Sequence, residues 1–288
     1  MSPGLVTRLS GIADEASPSL AQQLKCHSIL GWRNIELRSV NGKQISALQR
    51  AELQAVAASI RHSGLSVSCL CSPIAGWSRS ADFPIEKELQ EIDRLAILGN
   101  EIQCKYIRIM SYNENCIDGS RKQLIFDRIK RIVGHASDRS MIILHENCTG
   151  WGGQNAENTL KLIDAVDSDQ FGILFDTGNG GAHNYNSAEF LSAIIPYVRH
   201  VHIKDYTFTS RGNEENIAYT FPGNGSGTVF KCIRMLEHAG YSGHYSIEPH
   251  INSIPHLCIG KKERSIDPTY TEYAKRFQRD MESIIVNR

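Results

Sequence analysis

The segment MIILHENCTGWGGQNAENTLKLIDAVDSDQFGILFDTGN (Met141–Asn179) holds the decision about the fold. Its first residues, MIILHEN (141–147), form a short apolar run that ends in a carboxylate. A loop with Trp151-Gly-Gly153 follows, and AENTLKLIDAV then places apolar residues at helical spacing. The segment closes on FGILFDTGN (171–179), a second short apolar run ending in a carboxylate. Strand, helix and strand in that order spell a βαβ unit, whose crossover helix returns the chain to a parallel neighbour. The fold depends on how many such units the chain contains.

Working outward from this unit, the alternation persists in both directions. Upstream, a first strand is predicted around Arg8–Ala13, then a helix from Ser19 to about Leu30 and a strand at NIELRS (34–39). ISALQRAELQAVAASIRHSG reads as a helix ended by Gly64, followed by the strand LSVSCLCS (65–72). IEKELQEIDRLAILGNEI (helix), KYIRIMS (strand, 105–111) and SRKQLIFDRIKRIVGHAS (helix, 120–137) complete that half. Downstream come the helix SAEFLSAIIPYV, the strand opening VRHVHIKDY (198–206) and a long loop through PGNGSG (222–227). The helix VFKCIRMLEHAG, the strand HYSIEPH (244–250) and a helix near 269–286 finish the chain. Eight strands, each followed by a helix or a place for one, predict a single (β/α)8 TIM barrel domain over residues 1–288. An open doubly wound sheet is the competitor, but no linker splits the chain. Gly223-Asn-Gly225 also lacks the strand-then-helix setting and downstream acid of a dinucleotide site.

Bulk properties narrow the partners. The 288 residues carry 31 basic and 31 acidic side chains and no basic run, so nucleic acid is not an expected partner. The eight cysteines are scattered without a CxxC pair and are expected to be reduced; Cys69 and Cys71, on one strand face, are read as packing. No stretch approaches a membrane span, and MSPGLVTRLSGIADEAS lacks a basic segment followed by an apolar one, which predicts a cytoplasmic protein with no membrane partner.

In such a barrel, chemistry gathers at the carboxyl ends of the strands. Four consecutive ends carry Glu146 (ILHEN), Asp176 (LFDTGN), His202 (VHIKD) and Glu248 (SIEPH). Three carboxylates and an imidazole at the rim of an apolar barrel need a counterion. One divalent metal ion supplies it: oxygen with imidazole suits Mn2+, the first choice here, and equally Mg2+, Co2+ or Zn2+. On the other hand, each residue alone could be a helix cap or a surface ion pair.

Further candidates lie beside these four. Lys204, two residues past His202, stands at the mouth as a substrate ligand, and His250 has the same relation to Glu248. Glu36 and Arg38 share a strand face and could hold substrate hydroxyls; Arg108 is a similar case. Trp77, Tyr112 and Trp151 fall in loops where an aromatic ring could lie against a sugar. Each of these could equally be structural.

HEN, FDTGN, HVHIKD and YSIEPH, in that order on strands five to eight, resemble the xylose isomerase-like barrel superfamily of sugar isomerases, epimerases and related dehydratases. The resemblance implies that Glu146, Asp176, His202 and Glu248 bind one divalent metal and that Glu146 and Glu248 exchange the proton. The implied activity is isomerisation or epimerisation of a sugar or keto-polyol through a metal-stabilised enediolate. The alternative is a dehydratase or lyase acting on a keto-sugar or keto-cyclitol. The partner is then a small carbohydrate-like molecule, and a homo-oligomer is compatible with this reading. Asn179 and the Lys204-Asp205-Tyr206 run depart from the ketose 3-epimerase pattern, which has a histidine and an arginine there.

Overall fold

A computed structural model describes residues 3–114, 118–211, 214–252 and 265–286. Eight parallel strands form the ring: β1 (Leu9–Gly11), β2 (Asn34–Leu37), β3 (Ser66–Cys71), β4 (Tyr106–Ser111), β5 (Ile142–Gly150), β6 (Phe171–Asp176), β7 (Val198–Ile203) and β8 (Tyr245–Ile247). They lie in the order β1-β8-β7-β6-β5-β4-β3-β2, and a bridge between Ile12 and Glu36 joins β1 to β2. Eight helices follow the strands in turn: α1 (Leu20–Leu30), α2 (Arg50–Ser63), α3 (Ile85–Ile102), α4 (Gly119–Ser137), α5 (Ala156–Val166), α6 (Ser187–Ile194), α7 (Val229–His238) and α8 (Pro268–Val286). The barrel inferred from the βα alternation is the observed architecture.

Local chemistry sets the helix ends. Asp118 and Asn155 accept backbone N–H bonds from Arg121 and Asn158, which cap α4 and α5. Gly31 and Gly64 end α1 and α2 at φ +71°, a conformation open to glycine without a side-chain penalty. Outward residues such as Val201 and Ile203 of β7 pack with Phe190, Leu191 and Ile233 of the surrounding helices. An apolar plug of Cys69, Leu144 and Leu174, with Tyr106 and Ile142 beside it, fills the amino-terminal end of the barrel.

The strand ends differ from the sequence reading at several strands: β5 runs on to Gly150, and β6 stops at Asp176. β1 is only Leu9–Gly11, because Ala13–Glu15 turns into a 3-10 helix, and β8 stops at Ile247. The expected loop after β7 is instead an antiparallel hairpin, Asp205–Arg211 with Glu214–Thr220. Its Thr-, Ser- and Glu-rich strands lack a strong apolar alternation, and Phe208 is exposed. Among the described residues, no helix is long and apolar enough to cross a membrane.

Candidate active site at the carboxyl ends of the strands

Register brings the four strand-end residues together. Asp176 is paired with His202 across β6 and β7, and His202 with Ser246 across β7 and β8. Two residues beyond Ser246, on the same side of the chain, comes Glu248. Ligand atoms of Glu146, Asp176, His202 and Glu248 all lie within 4.8 Å of one another, and all four residues are buried. His202 Nδ1 is 3.5 Å from Glu146 Oε1, 3.6 Å from Glu248 Oε2 and 3.9 Å from Asp176 Oδ2.

The donor set fits a divalent cation at a buried nitrogen. His202 Nδ1 has no hydrogen-bond partner, although buried polar groups are almost always satisfied. It lies within 4.8 Å of the ligand oxygens of Glu146, Asp176 and Glu248. Three carboxylates and one imidazole around a common point could hold one divalent cation of the oxygen-preferring or borderline kind.

Each carboxylate has a cationic neighbour, and Asp176 and Glu248 share Lys204. Arg108 Nε lies 3.1 Å from Glu146 Oε2, and Asn179 Nδ2 donates to Glu146 Oε1 at 3.2 Å. Burial alone would raise the Glu146 carboxyl, but Arg108 and His202 hold it at about 2. Glu248 Oε1 accepts from Arg38 Nη1 at 2.7 Å, and Oε2 accepts from Lys204 Nζ at 2.7 Å. Against its burial, Lys204, His250 and His202 keep Glu248 well below the usual carboxylate range. Asp176 differs: burial pushes it up to about 6 against the pull of Lys204, whose Nζ is 3.1 Å away, with Glu248 and Glu146 reinforcing the rise. Its Oδ1 accepts the backbone N–H groups of Gly178 and Asn179.

Above these groups opens a cavity of about 250 Å³, lined among others by Arg108, Lys204, His250, Trp77 and Tyr219. That size suits a small molecule. Lys204 is only 3 % exposed; it reaches down between Asp176 and Glu248 rather than standing at the rim. His250 Nε2 sits 3.3 Å from both Glu15 and Glu248, with its backbone at φ +53°, a sparsely populated conformation for a non-glycine residue.

Several expectations are corrected. Glu36 does not line the cavity: it lies deeper, where His200, His202 and Cys71 hydrogen-bond its carboxylate, so the thiol of Cys71 does more than fill space. Arg38 does line the cavity, and its guanidinium clamps Asp14, Glu15 and Glu248. Trp151 turns away from the cavity, its ring edge-on to Phe126 of α4 at 5.6 Å. Tyr112 is fully buried, its hydroxyl donating to Glu88. Residues the sequence reading passed over are Asp14, Glu15 and Tyr219. The first two were discernible, since they follow β1 as carboxylates on the course of the chain just past an apolar strand run, like Glu146 after IIL and Asp176 after ILF. Tyr219 depends on the unforeseen hairpin, which brings its ring to 5.1 Å from that of His250. The cysteines 26, 69, 71, 104, 148 and 232 are free thiols, as expected; Cys116 and Cys258 lie outside the described residues.

Comparison with known proteins agrees with the barrel fold. Over 136 residues the chain is 28% identical to inosose dehydratase from Clostridium botulinum (strain Alaska E43 / Type E3), covering 43% of this chain and 46% of that protein. The chain therefore matches less than half the length of this curated relative. A xylose isomerase-like TIM barrel protein from Mycobacterium smegmatis, solved in complex with magnesium, superposes with a TM-score of 0.72 over 96% of this chain and 97% of its own, at 16% identity. D-allulose 3-epimerase from Methylomonas sp., solved with D-allulose, does so with a TM-score of 0.71 over 95% and 96%, at 14% identity. At these identities the two structures speak to the fold. The family described as xylose isomerase-like TIM barrel matches residues 26–277. With the ring of eight strands and the match over most of its length, the chain belongs to the xylose isomerase-like TIM barrel family.

Proposed function

We propose that this protein is a divalent-metal-dependent isomerase or epimerase of a sugar or related keto-polyol, working by proton transfer next to a carbonyl. The observation that carries the reading is that two ionised carboxylates, Glu146 and Glu248, meet the buried Asp176 and His202 with their ligand atoms within 4.8 Å of one another. Glu146, Asp176, His202 and Glu248 would hold the cation. When bound, a divalent cation at this place supplies Lewis-acid polarisation of a carbonyl and its neighbouring hydroxyl.

The chain's own residues do the rest. Glu146, kept ionised by Arg108, is the base that removes the proton from the carbon beside the carbonyl. Glu248, which lines the same cavity, is the second acid/base group: it takes up a proton from water and delivers it to the other face of the carbon, while Glu146 releases its own to water. Lys204 Nζ, 2.7 Å from Glu248 Oε2, holds that carboxylate ionised, as Arg108 does for Glu146. Arg108 and His250 are placed to orient hydroxyls, and Trp77 offers an apolar face to the C–H side of a ring.

A second reading, dehydration of a keto-sugar or keto-cyclitol, is favoured by the donors crowded on one side. Lys204 and His250 both flank Glu248, where an acid could assist departure of a β-hydroxyl. The similarity to inosose dehydratase supports the same alternative.

The test is solvent deuterium incorporation into a panel of ketoses and keto-cyclitols, with and without added Mn2+. Exchange without loss of water supports the isomerase, loss of water supports the dehydratase, and neither across the panel counts against both. Glu146→Gln and Glu248→Gln are each expected to lower turnover roughly 10²–10⁴-fold, the usual contribution of a general acid or base. Wild-type rates in both variants would sink the assigned roles.

A further inference from the structure

Glu36 lies on β2, fully buried, and both of its carboxylate oxygens are engaged by histidines of β7. His200 Nε2 is 2.8 Å from Glu36 Oε2, and His202 Nε2 is 2.9 Å from Glu36 Oε1, which also accepts from Cys71 Sγ at 2.8 Å. An ionised carboxylate can only accept, so both imidazoles must place a proton on Nε2. For a neutral His202 ring, this leaves the lone pair on Nδ1. That nitrogen is the one lying 3.5–3.9 Å from the oxygens of Glu146, Glu248 and Asp176, without a hydrogen bond of its own.

From this geometry, and resting on the metal site proposed above, we infer that Glu36 is a positioning residue that fixes the Nε2–H tautomer of His202 and thereby presents Nδ1 to a divalent cation. Glu36 touches neither the cavity nor the space between the four ligands, so its action passes through the imidazole. Histidines that bind metals commonly donate their second ring N–H to a carboxylate, which sets the tautomer, orients the ring and makes the ligating nitrogen more basic. Here one carboxylate serves two histidines. His200 and Cys71 hold Glu36 in place from its other sides, so His202 keeps its orientation even before a cation arrives.

Glutamate and its amide differ in what they offer the two histidines. A carboxylate offers an acceptor to each histidine, whereas a carboxamide offers one acceptor and one donor. In Glu36→Gln, one imidazole must therefore give up its Nε2 proton, or His202 must rely on a weaker, uncharged acceptor.

The experiment is calorimetric titration of Mn2+ into the full-length wild type and Glu36→Gln. It is paired with long-range ¹H–¹⁵N spectra of the histidine-labelled, Zn2+-loaded wild-type protein. The expected results are a roughly 10–100-fold weaker Mn2+ affinity in the variant and an Nε2–H tautomer for His202 in the wild type. Equal affinities in a folded variant, or a wild-type His202 carrying its proton on Nδ1, would overturn the inference. The spectrum needs no variant and so decides the matter even if Glu36→Gln fails to fold. A wild type that binds no Mn2+ at all overturns the metal site and this role together, whereas equal affinities overturn the role alone.

Discussion

Asp205 gives the most direct quantitative test of how the mouth of the barrel is built. It follows β7, is fully buried and accepts four backbone hydrogen bonds. Oδ1 takes the N–H groups of Tyr206 (2.9 Å) and Gly227 (2.9 Å), and Oδ2 those of Gly223 (2.8 Å) and Gly225 (3.0 Å). The PGNGSG segment is thereby wrapped around one side chain. A Cβ on Gly225 would lie 2.3 Å from the Tyr206 carbonyl oxygen, so glycine is what allows the approach. In Asp205→Asn, whichever way the amide turns, its NH2 replaces an oxygen that had accepted two N–H groups. Two hydrogen bonds are lost, and two backbone donors face another donor. At about 1–3 kcal/mol for each unsatisfied group, the expected destabilisation is about 2–6 kcal/mol, large against a typical total of roughly 5–15 kcal/mol. Urea unfolding followed by tryptophan fluorescence measures it as a lower midpoint at unchanged slope. Because the segment anchors the end of the hairpin that carries Tyr219, substrate affinity should weaken as well. A loss of stability below about 1 kcal/mol would refute the idea that Asp205 organises this loop.

Two further predictions concern pH and metal. Burial pushes His27 down to about 4, although the Asn34 carbonyl oxygen 2.7 Å from Nδ1 opposes the shift. The unfolded chain takes up a proton below about 6.5 that the folded one refuses, so this contribution is present above that pH and is lost as pH falls toward 4. At pH 5 the loss is about 2 kcal/mol, and His27→Gln should show a correspondingly smaller drop in urea midpoint between pH 7 and pH 5. Mn2+ at a hundred times its Kd should raise the unfolding free energy by about 2.7 kcal/mol, seen as a higher Tm that EDTA reverses and His202→Ala lacks. An unchanged wild-type Tm at millimolar Mn2+ would count against the cation site.

Strand and helix periods made the barrel legible. Runs such as ILFD (173–176) and amphipathic stretches such as AENTLKLIDAV carry their own burial pattern, and eight repeats admit few topologies. Glu146, Asp176, His202 and Glu248 stood out because ionisable groups recur at equivalent strand ends. Alternation along β7 also placed His200, His202 and Lys204 on one side and Val201 and Ile203 on the other. It did not say how far each polar group reaches. Lys204, read as a rim residue, bends down to Asp176 and Glu248, and Glu36, read as a substrate ligand, lies beneath the ligands.

The sequence by itself therefore determined the order of strands and helices, and which four side chains meet at the carboxyl ends. Both follow from periodicity within segments of ten to twenty residues and from the rule that parallel crossovers keep one hand. Only the tertiary structure decided which cation accompanies which carboxylate and which nitrogen of His202 faces the site. Arg38 meets Glu248 across 210 positions of sequence, and Glu36 meets His202 across 166. Such pairings depend on how the strands are staggered when the ring closes, including the shift in register between Ile35 and Leu37 of β2. Alternation fixes the face a side chain points to, but stagger fixes its depth, and depth separates a residue that touches substrate from one that positions a ligand.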